Sequence, residues 1–349
     1  MTTARSHLID QSRTGCYHVV SRCVRRGYLC GDQWEHRREW IERAICDQAA
    51  IFAVEILAYA VMSNHFHLVM KVKPEIVQGW SAREVAERWC LLFPLKDRDG
   101  VPLPPDPRFL DAKTADDAWI AERRSRLGSL SWFMKLMKER IARRANVDDG
   151  CTGHFWEGRF TSVALLDQAA VIACMAYVDL NPVRAAMADR PETSERTSVR
   201  ERIEHRQAMR ARDQLAKAEG DGSSAIVSTL PPTPWLAPLR ACVSWSDETA
   251  RLCPCPISSD DYLELVDQTG RIVRKGKRGA IPSHLAPILE RLDVDLERWL
   301  AAMANGGRFG GSAIGCAWAR AKEAVRRGVK WIVDRTLLHR DDGEGMPAT

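Results

Sequence analysis

Two β-rich runs separated by only two residues constrain this chain more than any other feature. Val54-Glu55-Ile56-Leu57-Ala58-Tyr59-Ala60-Val61-Met62 and His65-Phe66-His67-Leu68-Val69-Met70-Lys71-Val72 flank Ser63-Asn64. So short a break makes them antiparallel neighbours or one bent strand. Alternation along a strand then sends His65 and His67 to one face and Phe66 to the other. Cys16-Tyr17-His18-Val19-Val20-Ser21-Arg22 alternates as well and follows the breaker at 12 to 15, so it reads as another strand. Between them, Trp34 to Ala53 carries Trp40, Ile41, Ala44, Ile45 and Ala49 on one side, the spacing of a helix.

Beyond Pro74 the pattern becomes irregular to Gly128, with a helical piece at Ala82 to Leu92 and a proline-rich stretch at Val101 to Pro107; it reads as an insertion at about 75–128. Leu130 to Asn146 places Phe133, Leu136, Met137 and Ile141 on one face of an amphipathic helix. Its other face carries Lys135, Lys138, Arg140, Arg143 and Arg144, which by itself reads first as a solvated surface and only with other evidence as a phosphate track. Gly153 to Val163 suggests a turn entering a strand. Asp167 can cap a helix from Gln168 to about Leu180, which Asn181-Pro182 ends because the residue before proline avoids helical dihedrals.

A first domain is therefore expected over 1–205, a polar and Ser/Thr/Pro-rich linker over 206–240, and a helical accessory domain over 241–340. In the latter the expected helices are Ser259 to Val266 closed by Gly270, His284 to Leu292, Leu296 to Ala304 and Cys316 to Val333. Arg271 to Gly279 forms a dense basic loop, either simply solvated or a contact to duplex DNA.

Composition narrows the function class. At 349 residues, 45% hydrophobic and 28% charged, with no apolar run near the roughly 20 residues of a membrane span, a bilayer role is not expected. The amino terminus lacks the apolar core of a secretory signal, which makes the cytoplasm the default. Eleven scattered cysteines suggest no disulfide framework, and Cys253-Pro254-Cys255 lacks the second pair of a structural zinc site. A net charge of +5 permits a polyanionic partner without requiring one.

The chemistry is carried by two short constellations. His65 and His67 offer two imidazoles to one metal ion, although a His-x-His pair alone is also what two packed core histidines look like. Tyr177 and Asn181 lie four residues apart near a helix end, hence on one face, a phenol beside an amide oxygen. Read alone, Tyr177 on an apolar helix is more often a packed core tyrosine, and Asn181 before proline simply a helix stop.

Four segments in order change that balance: Tyr17-His18-Val19 with Ser21-Arg22; Tyr59 through Leu68; Gly153-His154-Phe155-Trp156-Glu157-Gly158-Arg159-Phe160; and Tyr177-Val178-Asp179-Leu180-Asn181-Pro182-Val183-Arg184-Ala185. Together they resemble the REP-associated tyrosine transposases of the HUH endonuclease superfamily across roughly the first 200 residues. Ser63 stands where that family often has proline, the insertion is longer than usual, and the C-terminal domain is not general. The resemblance implies an α+β, ferredoxin-like antiparallel sheet with flanking helices. It also implies a divalent ion, Mg²⁺ or Mn²⁺, held by His65, His67 and Asn181, and Tyr177 as nucleophile. The implied partners are single-stranded and hairpin DNA, nicked and rejoined through a 5′-phosphotyrosine by a monomer or homodimer. In that setting Lys135, Lys138, Arg140, Arg143, Arg144, Arg159 and Arg184 are expected DNA contacts, and Trp156 and Phe160 are placed to stack on bases, with a core role favoured for Trp156. The alternative is a non-catalytic DNA-binding regulator on the same fold.

Overall fold

The computed structural model describes residues 8–219, 235–239, 257–273, 294, 296–304, 311–333, 335, 336 and 338. Its centre is a five-stranded sheet in the order β2-β3-β1-β4-β5, formed by β1 (Gly15–Arg22), β2 (Val54–Val61), β3 (His65–Val72), β4 (Thr161–Leu165) and β5 (Ala313–Ile314). The first four are antiparallel to their neighbours, with Val20 opposite His67 and Val61 opposite Phe66, and β5 joins β4 in parallel. Helix α1 (His36–Ala49) connects β1 to β2, and α5 (Leu130–Asp148) leads to β4. A βαββαβ chain with strand order 2-3-1-4 is the ferredoxin-like split βαβ arrangement, as expected. The histidine strand β3 is interior, held on both edges.

Side-chain alternation divides two cores across this sheet. Phe66, Leu68 and Met70 pack with Ile41 and Ile45 of α1 and with Phe133, Met137 and Ile141 of α5. On the opposite face Val69 packs under α6 (Gln168–Asp179), with Ala170, Ala173 and Tyr177. A register shift between Ile56 and Ala58 lets β2 turn both Leu57 and Ala58 toward that second core, the local effect of a bulge. Asp167 caps α6, its carboxylate accepting from the Ala170 amide at 2.8 Å.

The stretch read as irregular holds more helix than expected. After α2 (Ala82–Leu92) come α3 (Pro107–Thr114) and α4 (Asp117–Leu127). Asp106 and Asp116 accept from the Arg108 and Trp119 amides as N-caps, yet α4 buries only Ile120 and Leu127. A helix with so thin an apolar stripe leaves little periodicity to read.

Past Asn181, α7 (Asn181–Arg184) is a single turn and α8 (Ser198–Glu219) runs through residues 206–219, where a linker is expected. The remainder of that linker is described only at 235–239; the helix expected at 284–292 and residues 274–279 of the basic loop lie outside the described residues. Helix α9 (Ser259–Val273) passes through Gly270 rather than stopping there. A Cβ at Gly270 would stand 2.9 Å from the Leu180 side chain, so glycine here serves close approach to the end of α6. Tyr262 and Leu265 of α9, with Trp299 and Met303 of α10 (Leu296–Ala304), complete the second core. The last helix, α11 (Ala317–Arg327), ends at left-handed Gly328, short of the expected Val333.

Asp179 ties these layers together. Fully buried at the end of α6, it accepts from the Ser198 hydroxyl, from the Val199 amide at 3.0 Å and from the Tyr262 hydroxyl at 2.6 Å. Asp179→Ala strands three buried donors at an expected cost of about 3 kcal/mol, measurable by chemical denaturation. Burial pushes the Asp179 carboxyl up from 3.8 to about 6. Its folded value lies above its unfolded one, so the stability it contributes is complete at low pH and is lost as pH rises from 3.8 through about 6. Asp179→Asn should flatten that limb of the stability profile.

Candidate functional site

His65 and His67 emerge from β3 on the α6 face, their ring centroids 4.9 Å apart and their planes 73° from parallel. Each is held through Nδ1. His65 Nδ1 lies 2.6 Å from the Asn64 Oδ1, and His67 Nδ1 lies 2.9 Å from the His18 Nε2. An amide oxygen can only accept, so His65 carries its proton on Nδ1 and presents the Nε2 lone pair. The same tautomer at His67, donating to His18, leaves its Nε2 available. Metal-binding histidines are held in this way, oriented and made basic by an acceptor at the second nitrogen.

Both rings are neutral at physiological pH. Burial lowers His65 to about 4, helped by the positive charge of Arg22. Burial also drives His67 well below its usual value, with His18, His65, Arg22 and Arg184 adding in the same direction. Neutral imidazole is the form that binds a cation. Among the described residues no three His, Cys, Asp or Glu side chains are grouped to hold a metal ion.

Tyr177 enters from α6 in the same chain. Its ring centroid is 5.9 Å from that of His67 and 6.1 Å from that of His18, edge-on to both. The side chain is only 5% exposed. Burial raises the phenol pKa, while the Arg184 guanidinium opposes the rise through its charge and a hydrogen bond. Arg184 lies 5.1 Å above the Tyr177 ring, and its Nη1 is buried without a hydrogen-bond partner among the described residues. Asn181 begins α7 one helical turn beyond Tyr177, and its Nδ2 donates to the Tyr177 carbonyl at 3.1 Å. That bond fixes the amide orientation, with the nitrogen toward the Tyr177 carbonyl.

Not every expected DNA contact joins this group. Helix α5 lies on the other face of the sheet, and its cations are engaged there. Lys138 donates to the Gly158 carbonyl at 2.5 Å, Arg140 to the Leu92 carbonyl, and Arg143 pairs with Glu139. Lys135 stands over Trp132 at 4.4 Å and Arg144 over Trp40 at 3.8 Å. Trp156 and Phe160 are buried, Trp156 edge-on to Phe66 at 5.5 Å, so the core role favoured for Trp156 fits, whereas Phe160, expected to stack on bases, also lies in the core. Arg159 is exposed on the loop that meets the end of β1, where the Glu157 amide donates to the Arg22 carbonyl at 2.9 Å.

Sequence reasoning missed His18, Asn64 and Arg22. The His18 signal was present in the alternation of β1, which puts it on the His67 face once β1 and β3 are paired, but nothing local names that pairing.

Residues 12–78 match the family model described as Transposase IS200 like. The matched span holds β1 and the histidine hairpin and stops before α6. A solved structure of a REP-associated tyrosine transposase bound to a REP hairpin aligns over 58% of this chain and 86% of its own, at 14% identity and a TM-score of 0.35. No curated protein matches the chain. Among the described residues no helix is long and apolar enough to cross a membrane.

Proposed function

We propose, from the IS200-like transposase match over residues 12–78, that this chain is a transposase-type enzyme that nicks and rejoins single-stranded or hairpin DNA through Tyr177. The observation that carries this reading is the approach of the Tyr177 ring to 5.9 Å from His67 within one chain, a phenol beside two neutral imidazoles.

The donor set fits a divalent cation. His65 and His67 offer Nε2 lone pairs and Asn181 a carboxamide oxygen, a nitrogen and oxygen set suited to Mn²⁺ and tolerant of Mg²⁺. Such an ion, when bound, would polarise the scissile phosphate as a Lewis acid and orient it. The chain's own residues do the rest. Arg184 stabilises the phenolate of Tyr177 against the cost of burial, and its unpartnered Nη1 offers a donor to a phosphate oxygen. Asn64 holds the His65 ring with its Nε2 lone pair free, and His18 contacts His67 at Nδ1, leaving the opposite ring nitrogen toward the site.

Tyr177 Oη then forms a bond to phosphorus as the bond to the 3′ oxygen breaks. The phenolic proton is lost to solvent, the departing 3′ oxygen gains one, and the 5′ phosphate remains on the tyrosine. Phosphoester bonds are exchanged one for one, so the same step run backward by a 3′ hydroxyl rejoins strands. Phenol and histidines belong to one chain, so this reading requires no second subunit. A 3′-labelled hairpin oligonucleotide with Mn²⁺ tests it, by the appearance of a covalent protein–DNA adduct, since the 3′ fragment is the one left on the tyrosine; the absence of any adduct with either Mn²⁺ or Mg²⁺ would leave a DNA-binding regulator instead.

A further inference from the structure

The turn that follows β1 is built unlike any other among the described residues. Arg25 and Arg26 both adopt left-handed backbone, each with φ of 55°, without a glycine at either place. Consecutive residues in this region are strained and persist only where their surroundings impose them. The surroundings here are explicit. The Cys23 amide donates to the Asn64 carbonyl and the Cys30 amide to the Ser63 carbonyl, both at 2.8 Å. At Gly31 a Cβ would meet the Ser63 side chain at 2.7 Å, so the turn is pressed onto the β2–β3 hairpin where only glycine fits. Asn64 Nδ2 donates to the Arg26 carbonyl at 3.0 Å.

The strain presents a charge surface. Arg22, Arg25 and Arg26 are exposed, and among the described residues no carboxylate pairs with them. Arg22 stands opposite His65 across the β1–β3 ladder. Tyr28 is 64% exposed on the same turn. Three unpaired guanidinium groups beside an exposed aromatic ring match the backbone and bases of a single nucleic-acid strand.

We propose that the 22–28 turn is a phosphate clamp for the single DNA strand that enters the His65 and His67 site, and that Asn64 is a positioning residue coupling the two. Its carboxamide faces both ways, the oxygen to His65 Nδ1 and the nitrogen to the carbonyl of Arg26. One side chain thus sets the orientation of a ligand ring and braces the arginine turn. This clamp rests on the DNA-processing reading of the site, but its test does not depend on catalysis.

Binding of a single-stranded oligonucleotide is measured by fluorescence anisotropy over a salt series, in EDTA, on the full chain carrying Tyr177→Phe. Added Arg25→Gln and Arg26→Gln should lower the magnitude of the log K against log salt slope by about 1.4, from about 0.7 per phosphate contact on a single strand. Arg83→Gln, on the insertion, should leave it unchanged. Added Arg25→Gly and Arg26→Gly should lower the slope equally while the melting temperature holds or rises, because glycine adopts φ of 55° without strain. Opposite effects on stability and binding are what a merely structural turn would not produce. Asn64→Ala should lower both the salt slope and the Mn²⁺ affinity, the latter by roughly 10- to 100-fold; the arginine variants should leave Mn²⁺ affinity unchanged. A slope unaffected by the arginine substitutions, or a Mn²⁺ affinity unaffected by Asn64→Ala, overturns the proposal. If the chain with Tyr177 intact forms the adduct while the Tyr177→Phe background shows an unchanged slope, the clamp alone is lost; a slope change with no adduct from the intact chain loses the nicking chemistry alone.

Discussion

Tyr177→Phe is expected to abolish the covalent adduct with a hairpin oligonucleotide in Mn²⁺, a loss of at least about 10³-fold in its rate of formation. The substitution removes one oxygen and the hydrogen bond it makes with Arg184. The phenyl ring keeps its edge contacts to His67 and His18 and its place beneath Arg184. It also keeps its burial in the second core, so the fold and the DNA affinity should change little. The appropriate readout pairs adduct yield on a denaturing gel with anisotropy of the same labelled oligonucleotide. An adduct that persists in the Phe variant would move the nucleophile to another residue and refute the assignment of Tyr177.

The second large effect is expected at the histidines. His67→Ala removes a ring that is 3% exposed and bonded to His18, and with it one of the two neutral nitrogen donors. Adduct formation should fall by at least about 10²-fold, because a lost ligand exceeds the 10- to 100-fold typical of losing an outer partner. Mn²⁺ affinity, measured by calorimetry on the full chain, should fall with it. His65→Ala, at a less buried position, should lose activity and metal together with a smaller change in stability. If the unsubstituted chain forms its adduct in EDTA, the metal role of this pair is wrong while Tyr177 can still stand.

How far the site could be read from residues alone is clearest by comparing His67 with His18. His65 and His67 share a face because strand alternation is a property of one segment, and Tyr177 and Asn181 share a helix face for the same reason. The caps at Asp167 and the break at Asn181-Pro182 are equally local, and the structure places α6 where they indicate. His18, by contrast, meets His67 across 49 positions, through a register that β1 and β3 settle together. Asn64 was in plain view inside a short turn, but its value lies in facing a ring on one side and the carbonyl of Arg26 on the other.

The basic helix marks the opposite limit. Periodicity in Leu130 to Asn146 correctly separates an apolar face from a charged one, yet it measures direction only around the helix's own axis. The sheet decides what each face meets, and it puts α5 behind the strands, with Lys138 and Arg140 spent on backbone carbonyls. Gly270 is similar: it reads as a stop by composition, and contact with Leu180 makes it a crossing point.

By itself, then, the sequence determined the strongly periodic elements, namely β1 to β3, α1, α5 and α6, with their apolar faces and the residue types able to do the chemistry, because each of these depends on neighbours within a few positions; weakly patterned α3, α4, α8 and β5 escaped it. Only the tertiary structure decided which faces confront one another. Strand order and register brought His18 and Arg22 to the histidine pair, α6 packing brought Tyr177 to 5.9 Å from His67, and the sheet set the α5 cations apart from them. Those choices rest on burying two cores at once, a global condition that no local pattern encodes.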